Sequence, residues 1–176
     1  ANGGTAQGTA CTVTFNLQHA AAEYTPPSVS IAVGIQDGST ALGSILQVAM
    51  DPPNAPLLGV HNGANPLVVV LPEFDVRKIA QSNPLASGSN TITVTIQSNV
   101  NLAQADSSVV TITGLTGAPD RASLALTSVS NSAADLFTDG ASQGKGVLSS
   151  ETLTLTVHTG QTVAGGTQYV FSFVIT

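Results

Sequence analysis

NTITVTIQSNVNLAQADSSVVTIT, from Asn90 to Thr113, decides the fold, together with ETLTLTVHTGQTVAGGTQYVFSFV, from Glu151 to Val174. The two stretches align without a gap at a constant offset of 61, Thr91 onto Thr152 and Val109 onto Val170. Thr91, Thr93, Thr95, Ala103 and Val109 recur as Thr152, Thr154, Thr156, Ala164 and Val170. Ile92, Val94 and Ile96 recur in kind as Leu153, Leu155 and Val157. Each stretch opens with Thr alternating with an aliphatic residue, the period-2 pattern of a half-buried strand. A polar turn and a second β-branched or aromatic run follow, so each stretch reads as a β-hairpin. Two origins of the likeness stand open: a duplication, or the small alphabet that alternation permits. Neither stretch carries chemistry, so the pattern speaks of architecture before activity.

The same alternation extends outward. Cys11–Gln18 places Cys11, Val13, Phe15 and Leu17 on one face, and Ser28–Gln36 does so with Val29, Ile31, Val33 and Ile35. Asp37-Gly38 is a turn signal before a further strand over Leu42–Met50. Pro26 and Pro27, and three prolines within Asp51–Pro56, forbid regular structure where they stand. Leu57–Val60 and Leu67–Leu71 read as short strands about an Asn62-Gly63 turn. Glu73–Gln81 holds two of the four cations, Arg77 and Lys78, and reads as a helical turn or as a charged edge strand. Ala122–Val129 is a strand, and Asn131–Gly146 a long polar loop. About ten strands and no long helix predict an all-β fold: a two-layer antiparallel β-sandwich, Ig-like or jelly-roll-like, with an internally duplicated hairpin. The expected division is an N-terminal arm over 1–27 and a sandwich domain over 28–176.

Composition narrows the function. Charged residues are 8% of the chain, Lys plus Arg number 4, and the formal net charge is −6. Four cations cannot build the basic patch that nucleic acid or anionic lipid requires. The longest uninterrupted aliphatic run, Leu67–Leu71, is far too short to span a membrane as a helix. The surface must therefore be Ser, Thr, Asn, Gln and Gly, with little charge to keep copies apart. Such a surface is either meant to associate or covered by sugar. Cys11 is the single cysteine, so no intrachain disulfide forms. It reads as a small buried hydrophobe, with an intermolecular bridge as the alternative. A first residue Ala1 fits a processed secreted protein or a segment of a longer chain.

No catalytic constellation emerges, and the chain reads as no enzyme, with no cofactor. There is no G-x-S-x-G elbow, and His19, His61 and His158 fall in a Pro-rich exit, a turn and a strand's Thr face. Asp135 and Asp139 share a loop without a calcium-loop pattern, and read as solvated turn carboxylates. Aromatic residues are 4% with no Trp, which leaves few stacking platforms for a sugar cleft. No N-x-[ST] sequon occurs, so sugar would be O-linked. The candidate carriers are Thr25, Pro26, Pro27, Ser28, Pro52 and Pro53 in the loops, prolines after hydroxylation. Thr91, Thr93, Thr95, Thr152, Thr154 and Thr156 on the Thr faces complete the set. β-propensity alone also explains those threonines.

Both ends of the chain read as strands, and the first follows a loose Gly/Thr arm, Ala1–Ala10. An alternating terminal strand after such an arm, on a Ser/Thr-rich sandwich, resembles donor-strand-assembled, pilin-type subunits. Units ending in GGTQYVFSFVIT also look like repeated β-domains in extracellular proteins of algae and other aquatic protists, and like protomers of glycan-coated filaments. The paired cysteines of bacterial chaperone–usher pilins are lacking. The resemblance implies an extracellular or cell-surface subunit that polymerises with itself by strand exchange, Val13, Phe15 and Leu17 filling apolar pockets of the next copy. The alternatives are a secreted adhesive or ligand-binding module, with its site in Asp51–Pro66 or Asn131–Gly146, and a viral capsid or tail protein.

Overall fold

The computed structural model describes residues 9–10, 12–37 and 39–175. Alternation becomes strands β1 (Ser30–Asp37), β2 (Thr40–Ala49), β3 (Phe74–Gln81), β4 (Asn90–Ser98), β5 (Leu102–Ala103), β6 (Val109–Ile112) and β7 (Arg121–Ala125). The remainder are β8 (Thr127–Ser130), β9 (Phe137–Thr138), β10 (Lys145–Ser149), β11 (Thr152–Val157), β12 (Thr162–Val163) and β13 (Tyr169–Ile175). Helix among the described residues is confined to two single 3₁₀ turns, Gln104–Asp106 and Ala133–Leu136. The all-β expectation holds.

Strands β3-β4-β13-β8 form one antiparallel sheet and β6-β11-β10-β7 the other, with β9 added to β11. One apolar core lies between them. Ile92, Val94 and Ile96 of β4 meet Leu153, Leu155 and Val157 of β11, Leu148 of β10, and Phe171 and Phe173 of β13. Phe137 packs edge-to-face on Phe171, ring centroids 5.7 Å apart at 62°. Each such side chain contributes roughly 1.5–3 kcal/mol on burial. The threonines between the aliphatics point outward and are half-buried by their neighbours.

The two repeated stretches are not hairpins. β4 pairs with β3 and β13, whereas β6 pairs with β11. Each stretch sends its first strand to one sheet and its second to the other. The reason is the connector. A two-residue turn holds both strands in one sheet, but residues 99–108 are long enough to cross the roughly 10 Å between layers. The crossing turns the aliphatic rows of both stretches toward each other.

The pairing register obeys the offset of 61. Ile96 pairs with Tyr169; the matching positions Val157 and Ser108 are joined by a Val157 N–H that donates to the Ser108 carbonyl at 3.1 Å. Thr95–Val170 maps onto Thr156–Val109, and Ile92–Phe173 onto Leu153–Ile112. At the crossing, Leu102 of β5 pairs directly with its own counterpart, Val163 of β12. The pairing of the two stretches is thus two-fold symmetric.

Three further expectations meet their outcome. Of the two readings of Glu73–Gln81, the charged edge strand stands: Phe74–Gln81 is β3, an outer strand carrying Arg77 and Lys78. Leu57–Val60 and Leu67–Leu71 form no strands, only the bridges Leu57–Val60 and Tyr24–Val69. The surrounding prolines withhold N–H groups, and Leu58 and Leu67 take φ of +52° and +63°, which breaks an extended backbone. The segment closes instead on reciprocal amides: the Asn54 N–H donates to Asn65 Oδ1 at 2.8 Å, and Asn65 Nδ2 donates to Asn54 Oδ1 at 2.9 Å. Asn99 Nδ2 donates to the Leu71 carbonyl, and the Asn101 N–H to that of Leu58, tying the segment to the sandwich. Finally, Thr12–Gln18 forms no strand with any of the described residues, while Cys11, Gly38 of the expected turn, and Ala1–Gly8 of the arm lie outside them.

Candidate functional site

The unusual chemistry of this chain is apolar and lies ahead of the sandwich. Val13, Phe15 and Leu17 are 77%, 71% and 62% exposed. Residues 12–23 pair with no strand among the described residues. The chain is first held at Tyr24, whose N–H donates to the Val69 carbonyl at 2.9 Å and whose carbonyl accepts from the Val69 N–H at 3.1 Å. The twelve residues before that anchor reach about 40 Å when extended.

Beyond the anchor, β1 and β2 form a two-stranded sheet apart from the sandwich. Directly opposed residues share a face. Ile31 opposes Val48, Val33 opposes Ile45, and Ile35 opposes Gly43. One face is therefore aliphatic. The other carries Ser30 against Ala49 and Gly34 against Ser44. β2 is exposed along its whole length. Its partner's aliphatics, Ile31, Val33 and Ile35, are exposed to nearly half their area. A lone two-stranded ribbon is marginal in water, and three strands or a packed face are what stabilise one.

The hairpin base closes a cleft of about 500 Å³ lined by Pro26, Pro27, Met50, Pro52, Val60 and His61 among others. Alternation gave no sign of this cleft, because proline-rich turns build it. The proline clusters were its only trace in the sequence.

The other candidates are dispersed. Thr91, Thr93 and Thr95 of β4, and Thr152, Thr154 and Thr156 of β11, are half-buried in strands flanked on both sides. Thr25, Pro27, Ser28, Pro52 and Pro53 are exposed, and Pro26 is half-buried. His19 and His61 are exposed; His158 is half-buried, its N–H donating to the Leu136 carbonyl. Among the described residues no cluster of three His, Cys, Asp or Glu gathers. Asp139 is occupied locally. The Ser123 hydroxyl, then the Ser142 and Ala141 N–H groups, donate to its carboxylate and hold its pKa down at about 2, with Lys145 nearby adding to the effect. Asp135 stands exposed in the same loop.

No protein-family model, no curated protein and no solved structure matches this chain.

Proposed function

We propose that the chain is a structural subunit of an extracellular filament or surface array, and that it polymerises with copies of itself by strand exchange. The observation that carries this reading is the arm. Thr12–Gln18 holds three large apolar side chains in period 2, exposed and, among the described residues, unpaired, on a segment whose first backbone hydrogen bond there is at Tyr24. A strand added to another copy satisfies its main chain and buries that row. Three such side chains supply roughly 1.5–3 kcal/mol each on burial, against the entropy of ordering the arm. The donor and acceptor surfaces differ, so the contact is head-to-tail and propagates.

The low charge of the surface fits a coat of O-linked sugar on native material. The exposed Thr25, Pro27, Ser28, Pro52 and Pro53 are better placed to receive it than the half-buried threonines of β4 and β11. An intact mass equal to the 17.6 kDa of the sequence would remove the glycan from this reading.

The test of assembly is electron microscopy and sedimentation of the full chain beside a chain lacking residues 1–18. The full chain gives polymers and the shortened chain monomers. Equal polymerisation of both contradicts strand exchange. A second reading, a secreted ligand-binding module, rests on the 500 Å³ cleft at the hairpin base. It requires that chemical shifts of Val60 and His61 respond to a small apolar ligand while the full chain stays monomeric.

A further inference from the structure

The strand-exchange reading leaves open where the arm goes, and the hairpin answers it. We propose that the acceptor is the free edge of β1, and that its occupant is Thr12–Gln18 of a second copy. This proposal rests on the strand-exchange reading and names its receiving site.

The sandwich edges are poor acceptors. β3 carries Arg77 and Lys78, charges that would be buried by an added strand. β6 and β8 are four residues each and β7 only five, and β7 and β8 pair with β10 and β13 across register shifts. The hairpin differs. Its two register shifts both place the extra residue on β2: three steps from Val48 to Ile45 oppose two from Ile31 to Val33, and Leu42 is the surplus between Gly43 and Ala41. Bulges spoil β2 as a template. β1 runs regularly from Ser30 to Asp37.

The main chain of β1 is oriented for this. The Val29 carbonyl accepts from the Met50 N–H at 2.8 Å, so Val29 turns toward β2. Alternate residues of a regular strand turn their N–H and C=O to the same side. Ser30, Ala32, Gly34 and Gln36 therefore direct theirs to the open edge. A strand lying there places alternate side chains on alternate faces. Val13, Phe15 and Leu17 extend the aliphatic face of Val29, Ile31, Val33 and Ile35. Thr12, Thr14, Asn16 and Gln18 join the Ser/Ala/Gly face. Neither Thr12–Gln18 nor Ser28–Gln36 contains a charged residue, so nothing ionic is desolvated. The result is a three-stranded sheet with one continuous apolar face.

The occupant is a second copy and not the chain's own arm. In the single chain both partners are present on one short stretch, and among the described residues they stay unpaired. The Tyr24–Val69 anchor and Pro26-Pro27 stand between them in the chain.

Photo-cross-linking decides the matter. Phe15→p-benzoylphenylalanine is introduced into the full chain, which is mixed with isotopically heavy full chain and irradiated. The expected adducts join residue 15 of one copy to residues 28–37 of another. Adducts to β3, β6, β7 or β8, adducts within one chain, or no adduct at all would overturn the assignment. A second variant, Ala32→Pro, removes one N–H from the open edge and none from the β1–β2 ladder; Pro is tolerated on an edge in that orientation. It is expected to abolish every species larger than monomer, with the far-ultraviolet spectrum kept. Polymers that survive Ala32→Pro, yet vanish on removal of residues 1–18, refute the β1 site and leave strand exchange intact. Polymers that survive the truncation refute strand exchange itself.

Discussion

β4 and β1 spell the same pattern and meet opposite fates. In β4, Ile92, Val94 and Ile96 are 7%, 3% and 5% exposed; in β1, Ile31, Val33 and Ile35 are 49%, 43% and 47% exposed. Both strands alternate, and both sit in antiparallel ladders. What differs is the second layer. β4 faces β11 across the core, and β13 pairs beside it. β1 has one bulged neighbour and no facing sheet among the described residues. Alternation specifies that a strand owns an apolar face. It does not specify what covers that face.

The comparison breaks most visibly at the core. Phe171→Ala removes a fully buried ring and its contact with Phe137. It should cost about 3–5 kcal/mol of sandwich stability, read as a lower midpoint in urea with the slope unchanged. A loss near zero would mean that the two sheets are not packed as described.

The corresponding change in the hairpin should leave the sandwich alone. Val33→Thr and Ile35→Thr together alter two exposed side chains. Sandwich unfolding should shift by less than about 0.5 kcal/mol, while sedimentation shows assembly weakened or lost. If the double variant destabilises the sandwich as Phe171→Ala does, the hairpin belongs to the same core and the contrast fails.

The smallest effect is at Asp139. Its folded pKa of about 2 lies below the ordinary value of 3.8, so folding favours the carboxylate. That contribution is complete above about pH 4 and is lost as pH falls through about 2. Asp139→Asn should flatten this part of the pH–stability profile between pH 5 and pH 2. An unchanged profile would show that the loop's hydrogen bonds are not formed in solution.

Much of the fold was legible in the sequence because side-chain period is local. Strands β1, β4, β11 and β13 follow directly from alternating residues. What was not legible is pairing. The hairpin reading of Asn90–Thr113 assumed that neighbouring strands pair, whereas residues 99–108 carry the chain to the other layer. Likewise β10 turns into β11 through Ser150 and Glu151, both at positive φ, without the Asn-Gly that announces such a turn. Long-range hydrogen bonds hold that turn instead. The Ser150 N–H donates to Asp120 Oδ1, and Thr116 Oγ1 and the Gly117 N–H donate to the Glu151 carboxylate. At the candidate site the apolar row of Val13, Phe15 and Leu17 was plain. The free edge of β1 was not, since only the ladder reveals that both bulges fall on β2.

Hydrogen exchange on the full chain tests most directly whether another copy covers these faces. Amides of Thr12–Gln18, with those of Ser30, Ala32, Gly34 and Gln36, should exchange quickly in dilute monomer and become protected in the assembled material. Amides of β4 and β11 should be slow in both. Fast exchange of Thr12–Gln18 in material that sediments as polymer, or protection already present in the monomer, would contradict the account.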